Sequence, residues 1–268
     1  MNRKETKNKI QQVSVDSLIS KLSDNKYFAF QRISQNIWLM LSKAFKDLNI
    51  TTYNKDILES KKLSSEMCKI WFRYFNQNCE SSCDEECIND IIKSIVKDRG
   101  ENFMLGVADS FNKPFSDRFL DAISKTVPKN IPIYDAMCWK RWAASGEINK
   151  LLKYCANNKR IVMIGPKHFN DFGNRIKAKE YYHIKTHSTR AMMYRENYLN
   201  ELIQLYSPDV VYIMQIGGTA MWLTDKLYHM LDKMFILDAG MALQVYYKEV
   251  KLPANYKWLS LGIKNLNE

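Results

Sequence analysis

Three short, almost wholly apolar runs in the second half of the chain, each stopping at glycine or aspartate, restrict what it can fold into. They are Lys159-Arg-Ile-Val-Met-Ile-Gly165, Asp209-Val-Val-Tyr-Ile-Met-Gln-Ile-Gly217 and Met234-Phe-Ile-Leu-Asp238. A run that is apolar on both alternating sets of side chains must be buried on both faces, which is the condition of a strand inside a parallel sheet. Parallel neighbours require long crossovers, and stretches at helical spacing lie where crossovers are needed: Glu147–Ala156, Ala191–Tyr206 and Gly218–Leu231. Tyr181–Lys185 reads as a further short strand, and Asn170–Lys177 as the start of a helix. The first half repeats the theme. Lys26–Arg32 alternates as a strand, Asn36–Leu48 is an amphipathic helix, Phe103–Asp109 is an apolar run ending on an acid, and Ile131–Tyr134 is extended. The pattern predicts an α/β fold, Rossmann-like, with a mostly parallel sheet and helices on both faces.

The domain reading is a basic, frayed lead over 1–14, then one α/β domain over 15–268. A helical, cysteine-containing insertion occupies about 51–98, with helices at Ser64–Asn76 and Ile88–Val96. A chain of 268 residues with 46% hydrophobic content can bury a full core. The polar start holds no apolar stretch of the signal-peptide kind, and no run approaches the ~20 apolar residues of a spanning helix. The expectation is therefore a cytoplasmic protein with no membrane span, in which the six cysteines are thiols or metal ligands. The formal charge of +11 suits an acidic partner, either nucleic acid or a phosphate-bearing substrate, and equally reflects a lysine-rich composition. Nothing in the composition argues against a homo-oligomer.

In open α/β sheets ligands bind beyond the carboxyl ends of the strands. Here those ends carry Gly165-Pro166-Lys167-His168, Gln215-Ile216-Gly217-Gly218-Thr219 and Asp238-Ala239-Gly240. Glycine lets backbone approach a ligand, and a helix N-terminus offers free N–H groups to phosphate. Each glycine alone also serves as a tight turn. No GxGxxG fingerprint or P-loop is present, which weighs against dinucleotide and ATP readings. The candidate binding residues are Gly165, Lys167, His168, Gln215, Gly217, Gly218, Thr219 and Asp238. Lys185-Thr-His187-Ser-Thr-Arg190 is a basic, hydroxyl-rich loop before a helix, suited to phosphate or simply to capping. Tyr134, Trp139, Lys140, Arg141 and Trp142 form an aromatic and basic cluster whose simpler role is packing. Cys79, Cys83 and Cys87, spaced by four, share a helix face, and with Cys68 could hold a structural Zn²⁺. The acidic neighbours Glu80, Asp84, Glu85 and Glu86 disfavour the thiolates such a site needs.

In order along the chain, several motifs resemble the bacterial GT-D-fold glycosyltransferases. Phe28-Ala-Phe-Gln-Arg-Ile33 is similar to the opening strand of that family. Val162-Met-Ile-Gly-Pro-Lys-His168 and Val210-Val-Tyr-Ile-Met-Gln-Ile-Gly-Gly-Thr-Ala220 are similar to its strand-and-glycine elements. Phe235-Ile-Leu-Asp-Ala-Gly240 is similar to its Asp-Ile-Gly strand end. The resemblance spans Ser17–Lys248 apart from residues 60–95. It implies transfer of a sugar from a nucleotide sugar to a glycan or glycoprotein acceptor, and the net charge of +11 adds DNA carrying a hydroxylated base as another acceptor. In that family the opening strand runs into Gly-Asp-Gly-Glu, an Asp-x-Glu motif for metal and sugar diphosphate. The corresponding stretch here is Ser34-Gln35-Asn36-Ile37, with neither acid. A divalent ion prefers carboxylate oxygens, so the resemblance does not carry metal dependence with it. Three alternatives stay open: Arg32, Lys167 or His187 stabilises the leaving diphosphate without metal, Asp109 supplies the acid, or the site is a non-catalytic nucleotide- or nucleic-acid-binding module. The catalytic candidates are Asp109, Arg32 and His187.

Overall fold

The computed structural model describes residues 2–33, 35–75, 85–97, 99–107, 117–186 and 191–247. Its centre is one eight-stranded sheet in which every pairing is parallel. The strands are β1 (Ile10–Gln11), β2 (Phe28–Ile33), β3 (Phe103–Val107), β4 (Ile133–Asp135), β5 (Arg160–Gly165), β6 (Tyr181–Lys185), β7 (Val210–Met214) and β8 (Phe235–Asp238). Their order across the sheet is β1-β4-β3-β2-β8-β7-β5-β6. From β2 the chain moves outward through β3 to β4. It then crosses to β5, steps out to β6, and returns inside β5 to lay down β7 and β8. This reversal is what opens a crevice above the strand ends.

The apolar runs are divided between two cores by the two-residue period of a strand. Ala29, Ile33, Val162, Ile164, Tyr212 and Met214 face one core, while Phe28, Phe30, Ile161, Met163, Val211 and Ile213 face the other. Helices cover both faces. Lys61–Phe75 and Glu85–Val96, from the supposed insertion, place Leu63, Met67, Ile88, Ile91 and Ile92 in the same core as Trp38 and Met221. Gln31, fully buried, donates from Nε2 to the Met221 carbonyl at 2.9 Å and to Ser94 Oγ at 3.3 Å. That satisfies the donor of a polar group in the middle of β2 and ties the strand to the helix Gly218–Met230.

Two readings need correction. The stretch read as a frayed lead contains a helix, Arg3–Lys9, closed by a reciprocal capping box between Asn2 and Glu5, and then β1, which pairs with β4 at the sheet edge. The helix is too polar to show in hydrophobic periodicity, and a two-residue edge strand is too short to. The helix expected over Asn170–Lys177 is a 3₁₀ turn, Lys167–Asp171, followed by one helical turn, Phe172–Arg175. Among the described residues no helix is long and apolar enough to cross a membrane.

Candidate active site

Above the carboxyl ends of the central strands lies a cavity of about 280 Å³, lined by Arg32, Pro166, Thr186, Ala191, Gln215–Gly217, Gly240, Met241 and Gln244. Arg32 lies near the end of β2 and the others follow β5, β6, β7 and β8, so the strand order brings them together.

Arg32 is anchored at the base. Its backbone N–H donates to Asp238 Oδ2 at 3.1 Å, and its Nε lies 3.8 Å from Asp238 Oδ1, an ion pair longer than a hydrogen bond. Asp238 is 1% exposed and also accepts the Gly240 N–H at 3.2 Å. Burial drives its carboxyl up to about 6, and the Arg32 charge and the two N–H donors keep it from going further. Gly240 has φ +53°, and a Cβ on it would come within 2.2 Å of the Arg32 guanidinium. Glycine is favoured here by its backbone angle, and its missing Cβ leaves the room that the guanidinium occupies.

On the β7 side, Gly217 has φ +61° and ψ −135°, and open space where a Cβ would be. It is the N-cap of the thirteen-residue helix Gly218–Met230, which has no side-chain cap and no acid in its first turn. Its N-terminal partial positive charge is therefore left for something else to meet. Gln215 and Gln244 line the cavity and are 7% and 6% exposed, and the Oε1 of each has no hydrogen-bond partner among the described residues. The Gln244 amide nitrogen lies 3.2 Å from His168 Nε2. Burial holds the His168 imidazole below its ordinary value, so the neutral ring can accept this bond. His168 packs on Phe169 and Tyr247, with ring centroids 4.4 and 5.0 Å away.

Of the candidates read from sequence, Arg32, Gln215 and Gly217 line the cavity, and Asp238 and His168 act one contact behind it. Gly218 is half-buried and Thr219 buried at the start of the same helix. Gly165 is buried and closely packed. A Cβ there would meet Met163 at 3.1 Å and Phe169 at 3.3 Å, while its carbonyl accepts the Thr186 N–H at 2.9 Å. Lys167 is exposed and outside the lining. Asp109, His187, Cys79 and Cys83 lie outside the described residues, as does the Cys87 side chain. Cys68 is buried in the helical core, and among the described residues no group of three or more His, Cys, Asp or Glu could hold a metal ion. Trp139 and Trp142 are buried, as packing predicts, and so are Cys138 and Cys155.

Sequence reasoning missed Thr186, Gln244 and Asp135. Gln244 follows no motif, and its position depends on how the turn after β8 folds back. Asp135 ends β4, is 6% exposed, and pairs with Arg141 at 2.8 Å while accepting the Met137 N–H at 2.8 Å. The extended stretch read over Ile131–Tyr134 stops one residue before it.

No family model matches the chain, and no curated protein matches it. Solved structures do. A selenomethionine-substituted structure of domain of unknown function 1792 matches with TM-score 0.59 at 12% identity, over 95% of this chain and 91% of that one. A second, described as showing that this highly conserved domain has a distinct glycosyltransferase fold, matches with TM-score 0.59 at 13% identity over the same shares. A third, described as a new glycosyltransferase (DUF1792) from Streptococcus sanguinis, matches with TM-score 0.53 at 14% identity, over 87% of this chain and 82% of that one. Fold is what such distant likeness carries. With its all-parallel sheet and its cavity over the central strand ends, the chain has the distinct glycosyltransferase fold of the DUF1792 structures, in divergent sequence.

Proposed function

We propose that the chain is a glycosyltransferase that binds a nucleotide sugar in the cavity bounded by Arg32, Gly217 and Gly240. The observation that carries this reading is the division of the lining into two chemistries. Arg32 and the uncapped helix N-terminus behind Gly217 suit a diphosphate. Gln215 and Gln244 line the same cavity with neutral amides, which suit the hydroxyls of a sugar or a ring N–H rather than a phosphate. A nucleotide sugar offers both. In the reaction the acceptor hydroxyl oxygen bonds to the anomeric carbon. The bond from that carbon to the diphosphate oxygen breaks, its electron pair leaving with the diphosphate, and a base takes the acceptor's proton. We assign the base to Asp109, and a second diphosphate contact to His187, on their sequence positions alone. Lys167, exposed beside β5, is proposed as a peripheral cation for the same ligand.

A second observation bears on the acceptor. A cavity of about 800 Å³ between the helices Gln35–Asp47 and Asp117–Thr126 is lined by Arg3, Lys43, Lys46, Arg118 and Lys125, against only Asp47 and Asp121. This favours an anionic polymer, such as DNA bearing a hydroxylated base, over a neutral glycan. The test is a panel of UDP-, GDP- and CMP-sugars, scored by thermal stabilisation and donor hydrolysis and then by transfer to duplex DNA or oligosaccharide at two salt concentrations. At least one donor should raise the melting temperature and be hydrolysed, and DNA binding should weaken steeply with salt. No stabilisation and no hydrolysis by any donor contradicts the enzyme reading, and salt-independent DNA binding contradicts the DNA branch.

A further inference from the structure

We infer that the donor's diphosphate is met here by the anchored Arg32 guanidinium and the N-terminus of the helix Gly218–Met230, with no divalent cation. The inference rests on the nucleotide-sugar reading and adds the means of charge recognition.

Among the described residues, those at the site do not fit a metal ion, and Asp109, which follows β3, lies outside the described residues. A hard divalent ion needs several oxygen ligands, carboxylates foremost. The exit of β2 is Ser34-Gln35-Asn36-Ile37, and the next acid along the chain is Asp47, at the far end of the helix Gln35–Asp47. Two carboxylates end described strands at this edge of the sheet, and both are already committed. Asp238 accepts N–H groups from Arg32 and Gly240 and is paired with the Arg32 guanidinium. Asp135 accepts from Met137 and Gln12 and is paired with Arg141. Freeing Asp238 for a metal would strip a buried ion pair of its partner, which is costly, and freeing Asp135 would leave the Met137 N–H without its acceptor.

What the site has instead is a fixed cation. The Arg32 side chain is 14% exposed and lines the cavity, and it lies in space that only a glycine at position 240 leaves open. Its Nε has no hydrogen-bond partner among the described residues. Burial, the Asp238 charge and the Gly240 backbone confine the guanidinium near the cavity, which lessens the ordering left to be done when phosphate arrives. Gly217 brings the uncapped N-terminus of a thirteen-residue helix to the same cavity. Together they provide the positive charge that a metal ion would otherwise bring to a leaving diphosphate.

The experiment is calorimetric titration of UDP and GDP, with uridine and guanosine as the phosphate-free controls. Each is run in EDTA and again with Mg²⁺ or Mn²⁺. The expected result is nucleoside diphosphate binding in EDTA within about twofold of that with metal. The Arg32→Gln/Asp238→Asn double variant removes both charges of the ion pair together, leaving uncharged polar groups. It should bind the diphosphate about tenfold or more weakly and the nucleoside unchanged. Binding that appears only with metal overturns the inference and leaves the nucleotide-sugar site standing. So does wild-type diphosphate affinity in a folded double variant. Binding of neither diphosphate under any condition overturns the site reading, and this inference with it. The EDTA comparison uses the wild-type protein, so it decides the matter even if the double variant does not fold.

Discussion

Replacing Arg32 with alanine should cost about 1–3 kcal/mol of folding stability at neutral pH, because Asp238 loses its counter-ion and must take up a proton, at ~1.36 kcal/mol per pH unit above about 6, and the packing of a buried side chain is lost as well. Denaturant unfolding of the purified variant measures this. The loss should be smaller below about pH 6, where Asp238 takes up a proton and no longer needs the cation. Adding Asp238→Asn to Arg32→Ala should recover most of the stability at neutral pH and none of the diphosphate binding. If the single variant is as stable as wild type at pH 7, the ion pair is not the structural anchor described above.

The second large effect is on the pH dependence of stability. The Asp238 carboxyl rises from 3.8 to about 6 on folding, so between those values the folded chain holds the proton more tightly than the unfolded chain. Stability from this group is therefore present at low pH and is lost as pH rises through that window. At ~1.36 kcal/mol per unit the loss is about 3 kcal/mol. Other carboxylates titrate in the same range, so the quantity to measure is the difference between wild type and Asp238→Asn. That difference should fall by about this amount between pH 4 and pH 7, against the asparagine variant, which has nothing to titrate there. A difference that stays flat, or rises with pH, would mean that Asp238 is not held as a costly buried anion.

Much of the fold was legible because burial leaves a coarse mark on sequence. The β5, β7 and β8 runs are apolar on both faces, and only an interior parallel strand asks for that. The order of strands left no such mark. That β8 sits beside β2, and so sets Gly240 against Arg32, follows from packing between segments some two hundred residues apart. The glycines make the same point locally. Gly165 and Gly217 both end apolar runs, yet Gly165 is packed against Met163 and Phe169 while Gly217 sits at positive φ facing open space. One signature covers two roles, and the backbone angle that separates them is set by tertiary structure. The capped helix Arg3–Lys9 escaped for the opposite reason: its stability comes from polar caps, and hydrophobic periodicity does not report those.

The absent acids after β2 have a structural counterpart. The Arg32–Asp238 pair and the Gly240 turn make a cation site from residues that already hold the sheet centre together. In the proposed site, charge recognition and fold stability would share the same side chains, so variants at Arg32 must be judged by binding and stability together.

The most direct test of the nucleotide-sugar site is a crystal structure of the chain grown with a UDP- or GDP-sugar. The diphosphate should lie within hydrogen-bonding distance of the Arg32 guanidinium and the first N–H groups of the helix Gly218–Met230, with the sugar or base donating to Gln215 or Gln244. A donor ordered elsewhere, such as in the basic cavity lined by Arg118 and Lys125, with the Arg32 cavity empty, would contradict it.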